Sequence, residues 1–231
     1  MASQRRTTND LATNIMNYGE RGLHSDLKLI CNEHEFAVHK FILSVQSEYF
    51  NKLINGPFIE SAANTVELHG DESFAVAALI HFLYTNQLSC ETTPKFPDQN
   101  KPSTFYLRVY EIADKYDCAP LCETAKNEFA RSCDATRDMD DFVDAVRIVD
   151  ACAGNGIIWK ILLPRIQDNI DALLNRQDFR DIIVDQPGFT FRLLRLLKSS
   201  RPPTEAPPNP FAIELGITSS RGNRGRNARG Y

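Results

Sequence analysis

The chain has 231 residues, 42% of them hydrophobic and 24% charged, with a formal net charge of −4. That is the composition of an ordinary soluble protein and enough chain for one large domain or two small ones. Five Arg against two Glu from residue 200 onward leave a body of 21 basic and 28 acidic side chains, so only the tail gives nucleic acid any electrostatic encouragement.

No apolar run approaches the roughly 18 residues of a membrane span. The opening MASQRRTTNDLATNIM has no apolar h-region, so no secretory signal is visible. The chain is too rich in core residues to need a disulfide framework for its six Cys (Cys31, Cys90, Cys118, Cys122, Cys133, Cys152). Free thiols in a reducing intracellular compartment, cytoplasmic and/or nuclear, are expected.

In chain order, Leu11, Ile15, Met16 and Tyr18 make a weak amphipathic helix over 8–19, ended by Gly19 and Gly22. SDLKLICN (25–32) alternates, and with HEFAVH it predicts a hairpin turning near Asn32-Glu33. Within HEFAVHKFILSVQSEYF the period changes from two to that of a helix without a breaker. A strand therefore runs straight into a helix from Lys40 to about Asn55, which Ser47 recaps midway and Gly56-Pro57 stops. TVELHG (65–70) is a third short strand, and ESFAVAALIHFLYT (72–85) is apolar nearly all round, as a helix in the centre of a core is. Three Pro between Cys90 and Ser103 predict a loop. Two helices, 105–117 and 119–133, follow and meet around Asp117-Cys118. Helices are next expected over 141–152, 157–174 (broken or kinked at Pro164), 178–185 and 189–199. RPPTEAPPNP and the final Arg/Gly/Asn stretch cannot build a core, so 201–231 reads as disordered. The fold class is α+β followed by an all-α extension.

Candidate sites each have a plainer reading. Cys31, His34 and His39 have a spacing that suggests metal, but strand alternation points 34 and 39 to opposite faces and a fourth ligand is missing. Cys118 and Cys122 share a helical face, as two small residues lining a helix contact also do. Asp138, Asp140, Asp141 and Asp144 gather at a helix start, where the helix dipole favours acids without any ligand. No nucleophile elbow, zinc-helix motif, phosphate loop or dinucleotide turn occurs. No catalytic residue, metal, cofactor or small-molecule substrate is therefore expected. Arg-Gly pairs at 221–222, 224–225 and 229–230 leave weak RNA binding by the tail as a minor reading.

The collinear set Ser25, Asp26, His39, Lys40, Leu43, Ser47, Phe50, Val66, Leu68, Phe82, Leu83, Tyr84 and Thr85 resembles the BTB/POZ domain family. The resemblance implies a small, mostly three-stranded sheet with helices, in which a hairpin delivers a His-Lys pair into the first helix. Asp26, His39, Lys40, Leu43, Ser47, Phe50 and Tyr84 are then structural. Asn86 stands where many members have Gly; Asn also tolerates the left-handed conformation. The implied organisation is an N-terminal segment (1–24), a BTB/POZ domain (25–133), a BACK-like helical extension (134–199) and a disordered tail (200–231).

BTB domains are non-enzymatic interaction modules. The resemblance implies homodimers, here through Leu11, Ile15 and Met16, and in some subfamilies recruitment of cullin-three to a ubiquitin ligase. Phe58-Ile59-Glu60 matches the apolar-x-Glu motif of that role in place and type, although Phe58 folded onto its own core and Glu60 capping a local turn fit as well. No kelch repeat, MATH domain or zinc-finger array fits in the chain. A ligase adaptor and a self-associating scaffold both stay open.

Overall fold

Leu27, Leu29 and Cys31 alternate with Lys28 and Ile30, which gives β1 (Leu27–Cys31) one face at most 4% exposed. Asn32, in the left-handed region at φ 54°, turns the chain into β2 (His34–Val38), antiparallel to β1 with Leu27 opposite Val38. The computed structural model describes residues 14–15, 17–18, 21–56, 64–90, 101–134, 138–151 and 156–199. Leu11, Met16, Phe58, Ile59, Glu60, Cys152, the Pro-rich stretch 91–100 and the tail 201–231 lie outside them.

The long expected helix is two helices, α1 (Lys40–Gln46) and α2 (Glu48–Asn55), divided at Ser47. The Ser47 N–H donates to Leu43 O at 3.0 Å and closes α1, while its Oγ accepts from Phe50 N at 3.2 Å and opens α2. This crossover lets β3 (Thr65–Glu67) pair in parallel with the far side of β1, in the order β2-β1-β3.

Helix α3 (Ser73–Thr85) is buried on every side, with Val76, Ala78 and Leu79 fully covered. Burial of each large side chain there contributes about 1.5–3 kcal/mol. Asn86, at φ 54°, caps it by donating its N–H to Phe82 O.

Helix α4 (Pro102–Lys115) begins three residues before the expected start, since Pro at the first position sacrifices no helical hydrogen bond. A tight joint at Asp117 (φ 48°) leads into α5 (Ala119–Asp134). Among the described residues five more helices follow: α6 (Met139–Ala151), α7 (Gly156–Asp168), α8 (Ile170–Leu174), α9 (Gln177–Asp185) and α10 (Pro187–Ser199).

Of the break or kink expected at Pro164, the break falls elsewhere. Helix α7 continues through the proline and the break falls at Asn169. Arg165 Nη1 donates to Ile161 O at 2.6 Å and Asn169 Nδ2 to Arg165 O at 2.8 Å, so side chains take up carbonyls of the last turns.

One apolar cluster runs from Leu27 to Leu193. Its C-terminal part includes Trp159 stacked on Phe189 at 5.7 Å, with Phe179 meeting Phe189 edge-on at 5.6 Å. Among the described residues no helix is long and apolar enough to cross a membrane.

Candidate protein-interaction site

The junction of β2 and α1 is a closed polar network. His39, the N-cap of α1, makes no side-chain cap of its own; Asp26 Oδ1 instead accepts from Lys40 N at 2.7 Å, across from the start of β1. Tyr84 Oη, from the centre of the core, accepts from His39 N at 2.9 Å and lies 2.7 Å from His39 Nδ1. His39 Nε2 is 3.3 Å from Leu23 O. A neutral imidazole protonated at Nε2 satisfies all three, with the Tyr84 hydroxyl donating to Nδ1. Burial pushes the Tyr84 hydroxyl up to about 12, against the lowering effect of the His39 backbone bond. Lys40 Nζ donates to Asn64 Oδ1 at 3.2 Å, which ties the same junction to the residue before β3.

A second network holds the opposite side of the helical crossover. Ser47 Oγ donates to Tyr116 O at 2.6 Å, Phe50 stacks on the Tyr116 ring at 5.3 Å, and Tyr116 Oη donates to Asp71 Oδ2 at 2.5 Å. Burial, followed by the bond to Asp71, raises the Tyr116 pKa. Leu43 is fully buried. Of the residues singled out by resemblance, Asp26, His39, Lys40 and Tyr84 thus meet in one cluster, while Ser47 and Phe50 belong to the other.

Residues with metal-like spacing do not converge. The ring nitrogens of His39 face Tyr84 and Leu23, while Cys31 Sγ lies 3.4 Å from Asp71 O. Among the described residues no group of three or more His, Cys, Asp or Glu is placed to hold a metal ion. Burial also holds the thiols of Cys31 and Cys118 above their ordinary values and takes Cys122 up to about 11, which makes them poor nucleophiles at neutral pH.

The acidic cluster is structural in a way that its sequence does not reveal. Asp138 Oδ1 caps α6 by accepting from Asp140 N and Asp141 N at 3.0 and 3.1 Å. The Asp141 carboxylate, only 3% exposed, accepts from Ser103 N and Thr104 N at 2.7 and 2.9 Å and so caps α4 from a neighbouring helix. Asp144 pairs with Lys101 at 2.5 Å and Asp140 pairs with Arg176. The only advance signal for Asp141 was a carboxylate on the side of α6 that carries Phe142 and Ala145.

With the polar groups of both junctions satisfied internally, the surface offers shape and apolar contact. Phe41 and Val45, at four-residue spacing on one face of α1, are 72% and 65% exposed. A shallow groove of about 310 Å³ is lined by Asn14, Ile15, Tyr18, Leu23, His24 and His39. Ile15 packs partly onto the core.

A BTB/POZ domain family profile matches residues 16–132. Kelch-like protein 15 of Homo sapiens is 26% identical over 164 residues, covering 69% of this chain and 24% of that protein. Zinc finger protein 131 of Pongo abelii is 31% identical over 116 residues, 47% of this chain and 19% of that protein. The chain thus spans at most about a quarter of the length of these curated relatives. Among solved structures, the BTB domain of zebrafish PATZ1 is 16% identical with a TM-score of 0.42, covering 55% of this chain and 94% of the other. The profile spans half of the chain and takes in both polar junctions: the chain belongs to the BTB/POZ domain family of protein-interaction modules.

Proposed function

We propose that the chain is a substrate adaptor of a cullin-three RING ubiquitin ligase. The observation that carries this reading is the place of Phe58-Ile59-Glu60, in the connection between the end of α2 at Asn55 and the start of β3 at Thr65. In the resemblance, the apolar-x-Glu motif occupies that connection. Phe58 fills an apolar pocket on the cullin and Glu60 orients it by hydrogen bonding; desolvated aromatic anchors of this kind commonly dominate an interface. Target capture falls to the helices after 134, to the Pro-rich tail or to another subunit of a dimer. The test is binding of the full chain to the N-terminal region of cullin-three beside a Phe58→Ala, Glu60→Ala variant. Binding by the parent alone supports the adaptor; equal binding or none removes it.

A self-associating scaffold is the second reading, favoured by the exposed row of Phe41 and Val45 together with the Ile15 groove. In this reading Leu11, Ile15 and Met16 of one copy cover that row on another. Light scattering at tens of micromolar, on the order of concentrations at which specific dimers persist, distinguishes dimer from monomer. The dimer is expected to survive the Phe58/Glu60 variant and to be lost in Phe41→Ser, Val45→Ser.

A further inference from the structure

Helix α10 buries one side and leaves the other uncovered. Phe189 and Leu193 face the core at no more than 4% exposure, whereas Phe191 and Leu194 are 63% and 60% exposed. At helical spacing Phe191, Leu194, Arg195 and Lys198 lie on a single face. Arg195 lies 5.9 Å from the centre of the Phe191 ring. No acidic partner meets Arg192, Arg195 or Lys198 among the described residues, although the chain as a whole is acidic. Arg192 is turned to the Trp159 ring, 5.4 Å away, so two large apolar side chains beside Arg195 and Lys198 make a small docking face for an apolar segment carrying negative charge.

The chain itself carries such a segment. PFAIELGI places Phe211, Ile213, Leu215 and Ile217 at alternate positions, with Glu214 as the only charge between residues 206 and 220. It is the one apolar run after residue 200. Eleven residues rich in Pro separate Ser199 from Phe211. In polyproline form they reach about 3.1 Å each, more than 30 Å in all. Phe191 lies eight residues before Ser199, or about 12 Å back along the helix. The linker therefore has length to spare for a return.

We propose that residues 211–217 dock in cis on the Phe191/Leu194 face of α10. The apolar edge of the segment lies over Phe191 and Leu194, and Glu214 lies at the rim within reach of Arg195 and Lys198.

Hydrogen–deuterium exchange on the full chain tests this. In the parent, amides of 211–217 are expected to exchange at least ten-fold more slowly than those of 221–230. Phe191→Ser, Leu194→Ser is expected to abolish the difference, and so is Ile213→Ser, Leu215→Ser in the tail. All four side chains are exposed or lie beyond the core elements, and unchanged exchange in α3 verifies that the variants fold. Equal exchange of the two tail segments in the parent overturns the proposal. So does protection that persists in the Phe191/Leu194 variant. Protection that grows with protein concentration assigns the face to a second copy and overturns docking in cis.

Discussion

The β2–α1 junction and the helices after Asp138 solve the same problem with different chemistry. Both must hold helix ends inside a packed body. At the junction, three side chains distant in sequence, Asp26, His39 and Tyr84, close a polar network around one turn. In the helical part, aromatic stacking of Trp159, Phe179 and Phe189 supplies the interior, and the pairs Arg176–Asp178 and Arg176–Asp140 sit at the surface. A junction built from directional bonds fixes one geometry; a bundle held mainly by apolar contact leaves faces such as that of Phe191 and Leu194 free for other uses. Asp141 is the buried exception, and with the Lys101–Asp144 pair and the bond from Arg165 to Ala130 O it ties the second region to the first.

Removing Phe50 tests the network of Ser47 and Tyr116 on the other side of the helical crossover and is expected to have the largest effect. Phe50→Ala leaves a cavity against the Tyr116 ring and is expected to cost about 3–5 kcal/mol in chemical denaturation. Asp141→Ala leaves two N–H groups at the start of α4 without an acceptor, for an expected cost of about 1–3 kcal/mol. If the two regions are welded by this residue, the variant separates their unfolding into two transitions, read by the lone Trp159 for the second and by far-ultraviolet dichroism for both; a single transition breaks the comparison.

Tyr84→Phe removes the hydroxyl shared by His39 N and Nδ1 and is expected to cost about 0.5–1.5 kcal/mol. It also has a signature in pH. The folded hydroxyl titrates at about 12 against an ordinary value of 10, so its contribution is complete below pH 10 and lost as the pH rises toward 12. The slope of stability against pH in that window is expected to be shallower in Tyr84→Phe than in the parent. The smallest effect belongs to the surface of the helical part. The Arg176 guanidinium lowers the pKa of Asp178, so this stabilisation is present above the ordinary carboxylate value and fades as the pH falls through the folded one. With the Asp178 side chain 37% exposed and screened by solvent, Asp178→Asn is expected to cost no more than about 0.5 kcal/mol at neutral pH.

Much of the first region was legible in advance because its signals are local. The change of period at His39-Lys40, Ser47 between two helices and the all-round apolar α3 are properties of neighbouring residues, and the backbone follows them; Asn86 in the left-handed region came with the resemblance. The hydrogen-bond partners of His39 were not legible, since Tyr84 lies 45 positions away and nothing in its surroundings names its acceptor. The site residues Phe58, Ile59 and Glu60 came from resemblance and position rather than from pattern.

What the sequence determined by itself is the order and type of the elements, because periodicity and cap chemistry act within a few residues. Tertiary structure decided which acceptor meets the first N–H groups of α4 and where α7 is tied to α5. The N–H groups of Ser103 and Thr104 find their acceptor in Asp141, 38 and 37 residues on, and Arg165 of α7 reaches Ala130 O, 35 residues back. Which buried polar group meets which depends on distances across the fold, and a one-dimensional pattern holds no record of those distances.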